Sequence, residues 1–221
     1  MRNARSWTSA RAFAGSMIAA LLLNGCALPS RTAGDQVSTY LLEWSPGEPP
    51  STGARSCPTL LVATPRAAPG FATGRMVYRK GSYQVEYFAS HRWVDSPAQM
   101  IQPLLVRSME RTGRYRAVVG PDAGGQAGLL LDADGLRLEQ VFDGAQSSVN
   151  LAARVSLVDL ARQQVLGARE IRVEEPAAGA DPRAGVVAAN RAVARFLERL
   201  ASFVDGVLAA HPSACDASSP G

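Results

Sequence analysis

The stretch from Pro182 to Ala210 limits the fold more than any other part of the sequence. Its apolar residues recur at helical spacing and form a stripe along one side of the predicted helix. Val186, Val193, Leu200 and Val207 repeat every seven residues, and the stripe is widened by Ala189, Phe196, Leu197, Phe203 and Val204. Asp181 stands in front of it as a candidate N-cap. Such a stripe predicts a long amphipathic helix lying on a sheet. The alternative is that the stripe contacts a partner or a second copy.

The residues before this helix alternate in polarity and predict three antiparallel strands. Between residues 149 and 157 the odd-numbered positions are apolar, which indicates one buried and one solvated face. Residues 159–164 make a turn, and residues 165–173 return along the first strand. Upstream, residues 129–133 alternate, whereas Leu136 and Leu138 alternate in the opposite phase. This change of phase predicts a β-bulge at Gly135.

The first half of the chain combines short strands with one helix. The strand candidates are residues 40–42, 59–64, 75–80, 82–88 and 115–119. The third and fourth of these flank Gly81 and predict a hairpin. A capping pattern at Ser96, followed by an apolar helical face, predicts a helix that ends at Gly113. Together these elements predict an α+β fold with two layers, a mainly antiparallel mixed sheet with two helices packed on it.

The first 25 residues predict a lipoprotein signal peptide rather than part of the fold. They carry three Arg, no acidic residue, and an apolar run over residues 12–23, shorter than the roughly 20 residues of a membrane-spanning helix. The run leads into Leu23-Asn24-Gly25-Cys26, a lipobox, which predicts cleavage before Cys26 and acylation of its thiol. An ordinary secretory cleavage site is the alternative. Ala27 favours sorting to the outer membrane, because Asp at that position is the retention signal in enteric bacteria.

The predicted organisation is a signal peptide at residues 1–25, a tether at 26–38, one domain at 39–212 and a flexible tail at 213–221. Removal of the leader leaves 20 basic and 19 acidic residues. The mature chain is therefore almost neutral, and it has no basic run with interleaved aromatics of the nucleic-acid-binding kind.

Cysteine usage agrees with export from the cytoplasm. Once Cys26 carries the lipid, Cys57 and Cys215 are the two that remain, and they predict one disulfide in an oxidising compartment. Two free thiols near the ends of the domain are the alternative. The absence of a CxxC motif argues against a redox pair or a zinc knuckle.

Recognisable catalytic and metal-binding motifs are missing from the sequence. The two histidines, His91 and His211, have no partner ligands at metal-site spacing. Asp132 and Asp134 are two residues apart on a strand, which is typical of a solvated face. We therefore predict no catalytic residue, no metal and no cofactor apart from the lipid on Cys26. An exported enzyme is the alternative, because carboxylate sites need not leave a motif.

The most distinctive part of the sequence is an aromatic hairpin that runs into an Arg-Trp pair and a capped helix. It contains Phe71, Tyr78, Tyr87, Phe88, Arg92 and Trp93. Three later segments accompany it: Arg137-Leu138-x-Gln140-x-Phe142 with Ser147 and Ser148, Leu157-Val158-Asp159, and Ala188-Ala189-Asn190-Arg191-Ala192. In this order the segments resemble the ABC-type transport auxiliary lipoprotein family over most of the mature chain. The family's leucine-aspartate pair before the hairpin is replaced here by residues 71–74.

The resemblance implies a non-enzymatic, membrane-anchored subunit of an MCE-type ABC transport system for phospholipid or other hydrophobic compounds. The implied partners are an MCE-domain protein with its ABC permease and ATPase, and the family also suggests a ring-like homo-oligomer. The hairpin residues are the interface candidates, although for Arg92 and Trp93 a packing corner between strand and helix is the favoured interpretation. The rival binding module is an assembly lipoprotein of an outer-membrane complex, of the lipopolysaccharide-insertion type.

Overall fold

A computed structural model of the protein describes residues 36–47, 56–123 and 125–216. Within these ranges the elements follow one another as β1 (Ser38–Tyr40), β2 (Leu60–Val62), β3 (Arg75–Lys80), β4 (Val85–Trp93), α1 (Pro97–Arg111), β5 (Val118–Val119), β6 (Leu129–Asp143), β7 (Gln146–Asp159), β8 (Gln164–Pro176) and α2 (Pro182–Ala210). A 3-10 turn, Pro212–Ala214, follows α2. The predicted signal peptide and Cys26 lie outside the described residues.

The strands form one mixed sheet built around β6. β7 lies antiparallel along one edge of β6, and β8 lies antiparallel to β7. The other edge of β6 carries two parallel strands end to end, with β2 beside residues 129–131 and β3 beside residues 140–142. β4 and then β1 extend the sheet beyond β3, and β5 extends it beyond β2. With two helices packed on this sheet, the predicted α+β fold class is confirmed.

Both helices cover the same face of the sheet, and the core lies between the two layers. The apolar residues of β7 point into it, and Leu151, Val155 and Leu157 are fully buried. The stripe on α2 meets them, with Ala189, Val193, Phe196, Leu197, Leu200 and Val204 at most 1% exposed. The core interpretation of the stripe is therefore correct for these residues. Among the described residues, no helix is long and apolar enough to cross a bilayer.

Local signals place the helix ends where the sequence predicts them. The hydroxyl of Ser96 accepts a hydrogen bond from the N–H of Gln99 at 3.4 Å, and the carboxylate of Asp181 accepts one from the N–H of Ala184 at 3.0 Å. Each bond satisfies a donor that the first helical turn leaves open. Gly113 follows α1 with φ +65°, a conformation that glycine adopts without steric cost.

Strand boundaries differ from the sequence expectation where a pairing partner is distant in sequence. β4 continues to Trp93 instead of ending at residue 88, because β1 pairs with its last three residues. The strand expected at residues 40–42 is β1, two residues earlier, and the strand expected at 115–119 shortens to β5. The bulge predicted at Gly135 is present, with φ +62° there and a register shift between Asp134 and Arg137.

A disulfide joins Cys57 and Cys215, whose Cα atoms are 4.0 Å apart across a sequence separation of 158 residues. Cys57 lies just before β2, and Cys215 follows the turn at the end of α2. Cys57 is 1% exposed, so the bond is shielded within the core. The bond ties the end of the last helix back to the beginning of the sheet.

Candidate docking surface

The face of the sheet opposite the helices is open and strongly charged. Because side chains alternate along each strand, the residues between the buried positions of β6, β7 and β8 all point to this face. Together with β3 and β4 they line a groove of about 700 Å³, and its principal residues are Arg79, Val85, Arg137, Glu139, Arg172 and Glu174. A wide polar groove of this kind offers a contact surface rather than an enclosed chamber.

Most charges in the groove are already paired within the chain. Arg79 forms an ion pair with Glu139 at 3.3 Å, and Arg172 forms one with Glu170 at 2.8 Å. Arg137 is exposed and has no ion-pair or hydrogen-bond partner among the residues that the structure describes. It is therefore the cation in the groove that is available to an external acidic group.

The tip of the β3–β4 hairpin is the most exposed apolar part of the same region. Gly81 makes the turn with φ +79°, and Tyr83 beyond it is 99% exposed. Val85 is 44% exposed and borders the groove. An exposed tyrosine with an adjacent valine is typical of contact surfaces, since large apolar side chains gain most from burial against a partner.

The interface residues predicted from the sequence divide between the two faces of the sheet. Tyr78 and Phe88 lie on the helix side, where their ring centroids are 4.5 Å apart and both pack near Phe142. The phenol of Tyr78 donates a short hydrogen bond to the carboxylate of Glu86. This hydrogen bond raises the pKa of Tyr78 above its ordinary value, with burial as the second cause. Both rings are half-buried, so each presents only an edge to a partner.

Tyr87 and Phe71 lie on the open side, and Phe71 is a correction to the sequence prediction. The hydroxyl of Tyr87 donates to the carbonyl of Gly70 at 3.1 Å, which fastens the preceding loop over the hairpin. The guanidinium of Arg75 lies 4.0 Å from the centroid of the same ring. Phe71 belongs to this loop and lines the groove, but it is only 9% exposed. It therefore supports the surface from below and contributes little area to it.

The Arg-Trp pair also separates, because adjacent residues of a strand point to opposite faces. Trp93 is 3% exposed and belongs to the core, where the packing interpretation applies and the contact interpretation is wrong. Arg92 points to the open face, is exposed, and has no side-chain partner among the described residues. The contact interpretation therefore stays available for Arg92 alone.

Sequence reasoning did not single out Arg137 and Glu139 as surface candidates. Both follow the bulge at Gly135, and their even-numbered neighbours Leu136 and Leu138 are buried. The alternation itself was the available signal, because it places the intervening charged residues on the opposite face. What the sequence could not supply was the position of β3 beside this end of β6.

The remaining polar candidates have structural partners. Arg66 binds Asp132 at 2.8 Å and approaches Asp134 at 3.6 Å on the solvated face, and His91 shares a hydrogen bond with the hydroxyl of Tyr40 at 3.1 Å. In the described ranges, no group of three or more His, Cys, Asp or Glu side chains is arranged to hold a metal ion.

The motif residues in the second half of the chain hold the start of α2 against the sheet. The amide of Gln140 donates to the hydroxyl of Ser147 at 2.9 Å and to the carbonyl of Asp181 at 3.2 Å. Ser147 in turn donates to the carbonyl of Gly179 at 2.8 Å. On the helix itself, the side-chain oxygen of Asn190 accepts the N–H of Glu43 at 2.6 Å. These sequence signals are thus structural, and they preserve the fold that carries the open face.

Comparison with known proteins identifies a family. No curated protein matches the sequence. Among solved structures, a Xanthomonas campestris protein of the DUF330 family is similar with a TM-score of 0.69 at 20% identity, covering 80% of this chain and 99% of that protein. A crystal structure of an uncharacterized protein is similar with a TM-score of 0.58 at 15% identity, covering 76% and 99%. At these identities both show a shared fold alone.

The model of one protein family, the ABC-type transport auxiliary lipoprotein component, matches residues 40–201. These residues run from the end of β1 into the second half of α2 and include the aromatic hairpin, the Gln140–Ser147 network and the Asn190 segment. The match confirms the resemblance inferred from those segments. The chain belongs to the ABC-type transport auxiliary lipoprotein family.

Proposed function

We propose that this protein is a non-enzymatic, lipid-anchored subunit that docks an MCE-type ABC transport system for phospholipids or other hydrophobic compounds to a membrane. The family supports the association with an ABC transport system, and the resemblance of the hairpin region supports the MCE-type partner. In this proposal a separate ATPase supplies the energy, and an MCE-domain protein supplies the path for the cargo. The subunit assembles as a homo-oligomer around or beside that path.

The observation that carries the proposal is the open sheet face with its exposed hairpin tip. Tyr83 projects into solvent, and Arg137 in the adjoining groove lacks a partner among the described residues. A side chain as large as tyrosine at full exposure contributes nothing to the stability of the isolated domain. Its burial against a partner would remove apolar area from water, at roughly 25 cal/mol per Å² before the costs of association.

The docking experiment compares two matched changes to exposed apolar residues. The full chain is purified in detergent, an MCE-domain protein from the same organism is purified with it, and binding is measured with Tyr83→Asp and Val85→Asp combined. Val165→Asp combined with Val187→Asp is the control, since it adds the same charge at valines that are 58% and 52% exposed and lie outside the hairpin. We expect the hairpin variant to bind at least tenfold more weakly, with the control unchanged. Failure of the unmodified chain to bind any MCE protein, together with hydrolytic activity on a periplasmic substrate, would overturn the proposal.

The anchor is tested separately. We propose that Cys26 is acylated and that the mature protein faces the periplasm from the outer membrane. Metabolic labelling with a fatty acid should label the natural chain, and Cys26→Ser should remove the label. Membrane fractionation that finds the protein only in the inner membrane would contradict the outer-membrane assignment without affecting acylation.

A further inference from the structure

A second exposed patch lies where the folded domain begins, at the end of the hairpin remote from Tyr83. The pairing register places Thr39 beside Arg92, and Arg92 beside Arg75. Paired residues point to the same face of a sheet, so both arginines lie on the open face at its β1 edge.

Three apolar residues share this face with the two arginines. Val37 and Leu41 lie two positions either side of Thr39 and therefore point the same way, and Val94 lies two positions beyond Arg92. The N–H of Val94 donates to the carbonyl of Tyr40 at 2.7 Å, which holds Val94 alongside Leu41. Val37 is 52% exposed, Leu41 49% and Val94 59%. We call Val37, Leu41, Arg75, Arg92 and Val94 the β1 patch.

The β1 patch as defined contains two arginines and no acidic residue. Among the described residues, Arg92 has no side-chain partner, and the guanidinium of Arg75 lies over the ring of Tyr87. Glu43, two residues after Leu41, and Asp95, next to Val94, are described carboxylates that adjoin the patch along the chain. Asp95 accepts a hydrogen bond from the N–H of Ser96 at 2.6 Å. Its lone pairs are thus partly occupied in holding the start of α1.

The position of the patch along the chain points to its occupant. Val37 lies eleven residues after Cys26. Eleven residues span at most about 40 Å when fully extended. An acyl group on Cys26 would therefore keep the β1 edge within a few nanometres of the bilayer surface. At that range even a surface with a weak affinity for lipid would be bound, because the effective concentration of lipid near it is high.

We propose that the β1 patch is a membrane-contact surface. Val37, Leu41 and Val94 enter the boundary between headgroups and acyl chains, while Arg75 and Arg92 bind the phosphates of anionic lipids, as in other interfacial contacts that combine apolar and cationic residues. The contact orients the domain on the bilayer. The hairpin tip lies at the other end of β3, about 17 Å away along the strand at ~3.3 Å per residue, and stays free for a protein partner. This inference rests on the acylation of Cys26 proposed above.

The test uses a reporter at one position of the patch and a matched position outside it. Val94→Cys and Val165→Cys are each introduced into the full acylated chain and labelled with a fluorophore. The two valines are 59% and 58% exposed, and the native Cys57 and Cys215 are held in their disulfide. Each protein is reconstituted in vesicles of phosphatidylethanolamine and phosphatidylglycerol that contain lipids with a spin label near the headgroup. Flotation with the vesicles is recorded in the same samples.

We expect the label at position 94 to be quenched at least threefold more than the label at position 165. Arg92→Glu should reduce this difference by at least half, and Arg116→Glu, an exposed arginine outside the patch, should leave it unchanged. Equal quenching at the two positions in protein that floats would overturn the membrane contact while leaving the anchor intact. Efficient disulfide cross-linking between two unlabelled Val94→Cys chains in the vesicles would also overturn it, because a second copy would then cover the patch. Loss of flotation would overturn the anchor and this inference together.

Discussion

The side-chain amide of Gln140 fills the space beside Gly185 that a Cβ atom would need. Gln140 is 3% exposed and is held there by the hydroxyl of Ser147 and the carbonyl of Asp181. The first turn of α2 thus meets β6 at a point where the helix has no side chain. Glycine disfavours helices, but at position 185 the side chain of Gln140 leaves no room for a Cβ atom.

Gly185→Ala should therefore destabilise the domain in spite of the higher helix propensity of alanine. The new methyl group displaces Gln140 from its buried hydrogen bonds, which we expect to lower the free energy of unfolding by about 1–3 kcal/mol. Urea unfolding measures the change. Gly206→Ala in the same helix is the matched control, because nothing lies within 4 Å of the position that its new methyl group would occupy. That variant should be stabilised by up to about 1 kcal/mol, and stabilisation by both changes would contradict the proposed clash.

Glu175 on β8 connects the sheet to α2 through two arginines, and the three residues should respond unequally to substitution. Glu175 is 2% exposed, and its carboxylate lies 2.7 Å from Arg195 and 3.5 Å from Arg191, both about half exposed. After Glu175→Gln the arginines can return to water, so we expect a loss of about 1–2 kcal/mol. Combined Arg191→Ala and Arg195→Ala strand a buried carboxylate and should cost about 3–5 kcal/mol. Chemical denaturation measures the free energy of unfolding of the two variants. A larger decrease for Glu175→Gln than for the double arginine variant would refute this account.

Reduction of the Cys57–Cys215 bond should lower stability substantially because the bond closes a long loop. For a separation of 158 residues the chain-entropy model gives about 5 kcal/mol, and measured values are commonly smaller. Thermal unfolding with and without reductant, and of Cys57→Ala combined with Cys215→Ala, should show the same decrease in Tm. Reductant should have no further effect on the double variant. An unchanged Tm in the reduced natural chain would argue against a stabilising bond.

Asp159, at the turn between β7 and β8, should contribute stability that depends on pH. Burial opposes its ionisation, but the backbone and side-chain N–H groups of Arg162, at 2.9 and 2.7 Å, outweigh burial and lower the pKa of Asp159. A pKa that is lower in the folded state than in the unfolded state stabilises the fold above the unfolded value, near 3.9. The contribution is lost as the pH falls through the folded value.

Asp159→Asn should accordingly cost about 1–2 kcal/mol at pH 7 and less at pH 3. Unfolding of both proteins at the two pH values gives the comparison. Asp143→Asn, at the exposed turn between β6 and β7, serves as a control for the general effect of removing a carboxylate. A penalty for Asp159→Asn that is the same at both pH values would contradict the ionic origin of the effect.

Features that depend on neighbouring residues could be read from the sequence alone. The caps at Ser96 and Asp181, the stop at Gly113 and the bulge at Gly135 depend on local backbone chemistry, which a few adjacent residues determine. The spacing of apolar residues in α2 and β7 likewise predicted a helix lying on a sheet, since burial of one face leaves a regular pattern in the sequence. The family resemblance used the same kind of information, the order of short segments along the chain.

The candidate surface required the tertiary structure. The sequence offered Phe71, Arg92 and Trp93 as contact candidates and left a packing corner open for the last two. Only the tertiary structure separates them, because it buries Trp93 and most of Phe71 and leaves Arg92 exposed. The burial of Glu175 between two arginines likewise depends on where α2 crosses β8. Side-chain exposure is decided by elements that are distant along the chain and close in space, and no local pattern records which of them will meet.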